Sequence, residues 1–176
     1  MNDTEREICP GCGVHLPQID GPTHRYIVAS AGCWAMFSAL LNAGEPPLAP
    51  APTNTLLIDA YAAQHPGPPS PQVIQSVAVH LITLYGVLVK GVAVDNALWI
   101  RQQALHPGKT GKKDRFEWLA SPDLFDTVTV ADIVKQTTPA ARTEQVARYV
   151  TSVWDAWSKP HGAIIADWYE KYVGST

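Results

Sequence analysis

The amino-terminal segment Cys9-Pro10-Gly11-Cys12-Gly13 carries two thiols separated by two residues. Zinc prefers thiolate and imidazole ligands in tetrahedral geometry, and two cysteines at this spacing can bind one ion from a single tight turn. Gly11 and Gly13 favour such a turn, because glycine adopts positive backbone φ angles without a steric penalty. The segment therefore predicts half of a Zn²⁺ site, and two further ligands must come from elsewhere.

The Cys9–Cys12 pair has two other interpretations. It could be a redox dithiol of the thioredoxin kind, which lies between a strand and a helix, or a pair of exposed thiols without a role. The sequence before Cys9 predicts no strand, which favours zinc over the dithiol. A disulfide scaffold is not expected, because three cysteines cannot all pair within one chain and a reducing cytosol disfavours disulfides.

Cys33 is the only remaining thiol in the chain. It lies near the predicted start of a helix, where backbone amides stabilise a thiolate. The alternative is a buried cysteine beside Trp34, since free cysteines are among the most buried residues. We expect Cys33 to be the third zinc ligand.

The fourth ligand must be a histidine, and the candidates are His15, His24, His65, His80 and His161. If the first two predicted helices are antiparallel neighbours, the end of the second returns to the start of the first and brings His65 near Cys33. His80 lies ten residues into the third helix, about 15 Å from its start. We therefore predict that Cys9, Cys12, Cys33 and His65 bind zinc, with His15 and His24 as local competitors.

His80 and His161 lie on apolar stripes of predicted helices, where a neutral imidazole needs a hydrogen-bond partner. Asp59 is a possible partner for these histidines. It lies on the second predicted helix, about 9 Å before His65. These three residues could form a general-base site or a second metal site. The alternative is that each histidine is a core residue paired for structural reasons, as buried polar groups normally are.

Hydrophobic periodicity and helix-breaking residues predict about five to seven helices in an all-α, irregular helical bundle. Residues 1–29 are expected to form a zinc-knuckle loop packed on a single helical domain that spans residues 1–176. The predicted helices run from the Ser30 cap to before Gly44, from Asn54 or Thr55 to Gln64, from Pro71 after a Ser70 cap to Leu88, from Val94 to Leu105, from Ala131 to Gln136, and from Thr143 onward as two helices or one kinked at Pro160.

Composition narrows the class of protein. A formal charge of −3, from 13 basic and 16 acidic residues, gives no reason to expect nucleic acid. The polar amino terminus does not resemble a signal peptide, and no apolar stretch is expected to span a membrane. A cytoplasmic protein is expected, with a protein or a small molecule as its partner.

A chain of this length buries about 70% of its unfolded surface, so its fold as a whole should not depend on a metal. Zinc should stabilise only one end of the molecule.

Four segments together resemble a small, uncharacterised bacterial family that is known only as a domain of unknown function. They are Cys9-Pro10-Gly11-Cys12-Gly13, Gly32-Cys33-Trp34-Ala35, Asp59-Ala60-Tyr61-Ala62-Ala63-Gln64-His65-Pro66 and Ser76-Val77-Ala78-Val79-His80-Leu81. Ala31 departs from the pattern, in which a proline is expected. The resemblance implies that the three cysteines, His65 and His80 belong to shared motifs. It supplies no activity and leaves the choice between the two histidines open.

The leading hypothesis is a zinc-binding helical protein in which the zinc is structural and the role is binding or regulation. One alternative is a metal-dependent enzyme, a hydrolase or a thiol transferase, that uses Asp59, His80 and His161. Another is a redox switch, because zinc-bound thiolates can be oxidised with release of the metal.

Overall fold

The computed structural model describes residues 5–41, 47–106, 116–123, 125 and 128–174. Within these ranges the chain is mostly helical, as predicted, with two short strands near the amino terminus. The elements are β1 (Arg6–Ile8), β2 (His15–Pro17), α1 (Ala31–Leu41), α2 (Thr53–Gln64), α3 (Pro71–Leu88), a 3-10 turn (Val94–Asn96), α4 (Ala97–Leu105), α5 (Val130–Val134) and α6 (Pro139–Tyr172).

Strands β1 and β2 form an antiparallel hairpin in which Ile8 lies opposite His15. The expectation that no strand precedes Cys9 is wrong, because three-residue strands are too short to show an alternating hydrophobic pattern. The turn between the strands carries Cys9 and Cys12. The cysteine pair therefore lies between two strands and not between a strand and a helix, as a thioredoxin-type dithiol would.

Helix α2 is the central helix of the bundle. It packs against α3 and α6, which also pack against each other, while α4 contacts α3 and α1 contacts α5. Every residue of α2 from Asp59 to Gln64 is buried, and so is His65, which follows it. A helix that is buried on all sides needs partners for its polar groups.

Helix α6 supplies partners at the carboxyl-terminal end of α2. The Tyr149 hydroxyl donates to Gln64 Oε1 (2.9 Å), and Trp157 Nε1 donates to the Ala63 carbonyl (3.0 Å). Gln64 Nε2 in turn donates to the Val128 carbonyl (3.1 Å). These buried hydrogen bonds fix the position at which α2 ends, and with it the position of His65.

Helix α3 begins as predicted, with Ser70 Oγ accepting from the Val73 amide (3.2 Å) and Pro71 at the first helical position. Among the described residues it is the one helix long and apolar enough to cross a membrane, with a mean hydropathy of 1.3 over 18 residues. The expectation that no stretch meets these criteria is therefore wrong. Half of the helix is buried against its neighbours, and core helices of globular proteins meet the same criteria.

Helix α6 continues without interruption from Pro139 to Tyr172, so the alternative of two helices divided at Pro160 is wrong. Its cap is Thr138, whose Oγ1 accepts from the Ala141 amide (3.2 Å), a start four residues earlier than predicted. Trp154, Trp157 and Trp168 are buried in the hydrophobic core. The free energy gained by burying these tryptophans outweighs the loss of the backbone hydrogen bond that Pro160 cannot form.

Gly86 of α3 provides a test of the packing between α3, α4 and α6. A Cβ at this position would lie 2.7 Å from Ile100 Cδ1 and 2.8 Å from Tyr169 Cε2. Gly86→Ala should therefore lower the free energy of unfolding by about 1–3 kcal/mol, measured by urea denaturation.

Gly162→Ala in α6 is the matched control, because its added Cβ would meet only Ser158 Cβ, at 3.9 Å. It should raise stability by about 0.5–1 kcal/mol through helix propensity alone. If both substitutions stabilise the protein equally, the packing described at Gly86 is wrong.

Candidate metal centre

Three thiols and one imidazole converge where the hairpin meets α1 and the end of α2. One ligand atom from each of Cys9, Cys12, Cys33 and His65 lies within 4.8 Å of the other three. Among the residues that the structure describes, no other group of three or more His, Cys, Asp or Glu side chains comes together in this way. These are the four residues that the sequence analysis selected, and their arrangement is compatible with a metal site.

The β1–β2 hairpin positions Cys9 and Cys12. The Cys9 amide donates to the Val14 carbonyl (2.9 Å), and the Gly13 amide donates to the Cys9 carbonyl (2.8 Å). Gly13 has a φ of +74°, the positive angle expected of it. The tight turn between the strands therefore directs both sulfurs to the same side.

Gly11 is required for a different reason from the one predicted, since its φ is not positive. A Cβ on Gly11 would lie 2.5 Å from the Val28 carbonyl oxygen and would collide with the His65 ring. The turn thus lies directly against the end of α2, and only a residue without a side chain allows this approach.

Helix α1 positions Cys33 in its first turn. Ser30 caps this helix as predicted, with its Oγ accepting from the Cys33 amide (3.3 Å). Cys33 Sγ lies 3.8 Å from Cys12 Sγ and 3.4 Å from His65 Nε2. In a tetrahedral zinc site with ordinary bond lengths, two sulfurs are about 3.8 Å apart, and a sulfur and a nitrogen about 3.6 Å apart. These two distances are close to the corresponding edges of such a tetrahedron, and the cluster is compatible with a metal site.

His65 is held in one tautomer by helix α2. Its Nδ1 donates to the Tyr61 carbonyl (2.9 Å), which leaves the lone pair of Nε2 facing Cys33. The Val28 amide donates to the His65 carbonyl (3.1 Å), and Ile27 forms a bridge with Pro66. The chain that connects the hairpin to α1 is thereby attached to the end of α2, so the imidazole and the thiols stay together.

Crowding of the thiols determines their protonation. Hydrogen bonds with Cys12 and Cys33 lower the pKa of Cys9. The hydrogen bond with Cys33 lowers the pKa of Cys12, but that with Cys9 and burial outweigh it and raise the pKa to about 12. Hydrogen bonds with Cys12 and Cys9, together with burial, raise the pKa of Cys33. One thiolate is therefore favoured and the others are opposed unless a cation offsets their mutual repulsion.

Backbone amides of the turn favour two of the thiolates. The Cys12 amide lowers the pKa of Cys9, and the Val14 amide lowers the pKa of Cys12. The sulfur of Cys33 accepts instead from a side chain, the Tyr61 hydroxyl, at 3.5 Å.

The other candidate histidines lie outside this cluster. His15 is exposed in β2, and the exposed His24 accepts from the Tyr26 amide at Nδ1 (3.3 Å). His161 Nε2 donates to the Ala120 carbonyl (2.8 Å), and its ring lies beside Trp157. His161 therefore does not join Asp59 and His80 in one site.

Asp59 and His80 pair as the sequence suggested, with His80 Nδ1 donating to Asp59 Oδ1 (2.7 Å). Arg101 of α4 also contacts this buried carboxylate through Nε to Oδ1 (2.9 Å) and Nη2 to Oδ2 (2.7 Å), and it donates to the Thr55 carbonyl (2.9 Å). The trio joins α2, α3 and α4 through a fully paired buried charge.

Sequence reasoning missed Arg101 and Tyr61. A feature of the sequence could have identified each of them. Arg101 is the only basic residue of the predicted fourth helix, and a buried aspartate needs a cation. Tyr61 precedes His65 by four residues, so the two share one face of α2.

A family model described as "Family of unknown function (DUF5946)" matches residues 7–158, which include the three cysteines and His65. No curated protein and no solved structure is significantly similar to the chain.

Gly11→Ala tests the close approach of the turn to α2. The new methyl group must displace the His65 ring or the Val28 carbonyl, so we expect a loss of about 1–3 kcal/mol in the free energy of unfolding. Gly21→Ala is the control, because its Cβ would make only an ordinary 3.7 Å contact with Ala31. It should change stability by no more than about 0.5 kcal/mol. Equal effects of the two substitutions would contradict the described packing.

Proposed function

We propose that this chain, a member of the family of unknown function DUF5946, holds one structural zinc ion through Cys9, Cys12, Cys33 and His65. Because the family has no known function, the proposal is argued from the geometry of the cluster. The observation that carries this proposal is the convergence of three sulfurs and one imidazole nitrogen within 4.8 Å. Thiolates and a neutral imidazole are the ligands that zinc prefers in tetrahedral sites.

The four side chains form a closed ligand set, which favours a structural zinc over a catalytic one. Catalytic zinc sites use three protein ligands and keep the fourth position for water or substrate. Here four side chains fill the tetrahedron, and Cys9, Cys33 and His65 are buried. A substrate could reach the metal only by displacing one of them.

The zinc would fasten the amino-terminal hairpin to the helical bundle. Its ligands come from the β1–β2 turn, the first turn of α1 and the residue after α2. A two-stranded hairpin has little stability of its own, whereas the helices share an extensive core. The zinc therefore holds a small surface element in place, and binding or regulation by that end of the molecule is the role we propose.

A metal-dependent enzyme would need Asp59 and His80 to act on a substrate. The 2.7 Å hydrogen bond between them favours such a role. However, Arg101 contacts both oxygens of Asp59, and His161 is engaged with Ala120 instead. We therefore assign the Asp59–His80–Arg101 group a structural role, that of joining three helices.

A redox switch is the second candidate function, because Cys12 is partly exposed while the other two cysteines are buried. Hydrogen peroxide would oxidise the Cys12 thiolate to a sulfenic acid as the O–O bond breaks and hydroxide leaves. The Cys33 thiolate, 3.8 Å away, would then displace hydroxide and form a disulfide, and the zinc would lose two ligands.

Metal analysis of single variants tests the zinc proposal. Protein purified without chelators should contain one equivalent of zinc per chain. Cys9→Ser, Cys33→Ser and His65→Ala should each retain less than a tenth of that amount, because three ligands hold a structural zinc poorly. Atomic absorption measures the zinc, and circular dichroism shows whether the helices remain.

His80→Gln is the matched control, since sequence motifs alone did not separate His80 from His65. It removes an imidazole from the same bundle and should keep the full equivalent of zinc. Less than half an equivalent in the wild-type protein, or full zinc in His65→Ala, would contradict the proposal.

Mild peroxide treatment tests the second candidate. A redox switch should release its zinc to a chromophoric chelator and take it back after treatment with a dithiol reductant. Peptide mapping of the peroxide-treated wild-type protein should find a Cys12–Cys33 disulfide that the dithiol reductant removes. Retention of zinc by the wild-type protein under peroxide would eliminate the switch and leave the structural role.

A further inference from the structure

Tyr61 contacts two of the four side chains of the centre in three different ways. Its hydroxyl donates to Cys33 Sγ (3.5 Å), and its carbonyl accepts from His65 Nδ1 (2.9 Å). Its ring stacks on the His65 imidazole, with centroids 4.0 Å apart and 26° between the planes. A single buried residue thus touches both the ligand from α1 and the ligand from α2.

The ring of Tyr61 is held in place by its neighbours. Phe37 stacks on it with centroids 3.8 Å apart and only 9° between the planes, and Trp34 lies 6.0 Å away. No part of Tyr61 is exposed to solvent. A buried tyrosine hydroxyl normally finds a hydrogen-bond partner, and here that partner is the sulfur of Cys33.

The Tyr61 hydroxyl is a donor to the Cys33 sulfur from outside the four candidate ligands. The backbone amides of Cys12 and Val14 lower the pKa values of Cys9 and Cys12, respectively. The amide of Cys33 is directed to Ser30 Oγ instead. The Tyr61 side chain therefore supplies a hydrogen-bond donor to the Cys33 sulfur, while the Cys33 amide bonds Ser30.

We propose that Tyr61 is a positioning residue that sets the charge on the Cys33 sulfur and holds His65 in its metal-binding tautomer. The proposal rests on the zinc site described under the proposed function. Three thiolates around Zn²⁺ leave one net negative charge in a buried place, and a hydrogen bond to sulfur spreads that charge. With Tyr61 in place the centre binds metal tightly and its thiolate is a weaker electron donor.

Tyr61→Phe tests the inference, because it removes only the hydroxyl and keeps the stacked ring and the carbonyl that binds His65. Zinc affinity, measured by competition with a chelator, should fall about 10-fold, as is typical when an outer hydrogen bond to a metal ligand is lost. In the cobalt-substituted protein, the sulfur-to-cobalt charge-transfer band should move to lower energy, since the Cys33 thiolate becomes a stronger donor.

Tyr149→Phe is the matched control. Its hydroxyl is equally buried and donates to Gln64 Oε1 on the same helix, but it does not touch a sulfur. Both variants should lose some thermal stability, whereas only Tyr61→Phe should change the cobalt spectrum and the zinc affinity.

Three outcomes are distinguishable. A shifted band and weaker zinc binding in Tyr61→Phe alone support the inference. Wild-type zinc affinity within twofold and an unshifted band in Tyr61→Phe overturn it while the zinc site itself stands. A wild-type protein that binds neither zinc nor cobalt in stoichiometric amount overturns both the inference and the proposed function.

Discussion

The meeting of three sulfur atoms with the imidazole of His65 is the contact on which the amino-terminal architecture depends. It joins a hairpin of two three-residue strands to helices α1 and α2. The buried end of α2 makes this possible, because hydrogen bonds from Trp157 and Tyr149 hold that end against α6. The helical core thus positions His65, and the hairpin positions Cys9 and Cys12.

Crowding of the thiols in this cluster supports the proposal that it binds a cation. Three thiols packed beside one another in a buried place oppose the formation of more than one thiolate, as the raised pKa of Cys33 indicates. A bound divalent metal would offset the repulsion between thiolates, and the closely packed sulfurs would then serve as its ligands. The Tyr61 hydroxyl adds a hydrogen-bond donor at the Cys33 sulfur.

Much of the site could be predicted from local patterns. Cysteine spacing identified the turn, and the predicted end of the second helix at Gln64 placed His65 next to the start of α1. Features that depend on tertiary contacts could not be predicted. The strands are too short to show a periodic pattern, and Gly11 is required by a neighbouring helix and not by its own φ. Helix α6 passes through Pro160 because its buried face outweighs one missing hydrogen bond.

The most direct measurement is X-ray absorption at the zinc edge of the purified protein, which reports the ligand atoms and their distances. The structural zinc site predicts three sulfurs at about 2.3 Å and one nitrogen at about 2.0–2.1 Å, with no oxygen ligand. A shell with only two sulfurs, or one that includes a water oxygen, would contradict the closed Cys9–Cys12–Cys33–His65 centre.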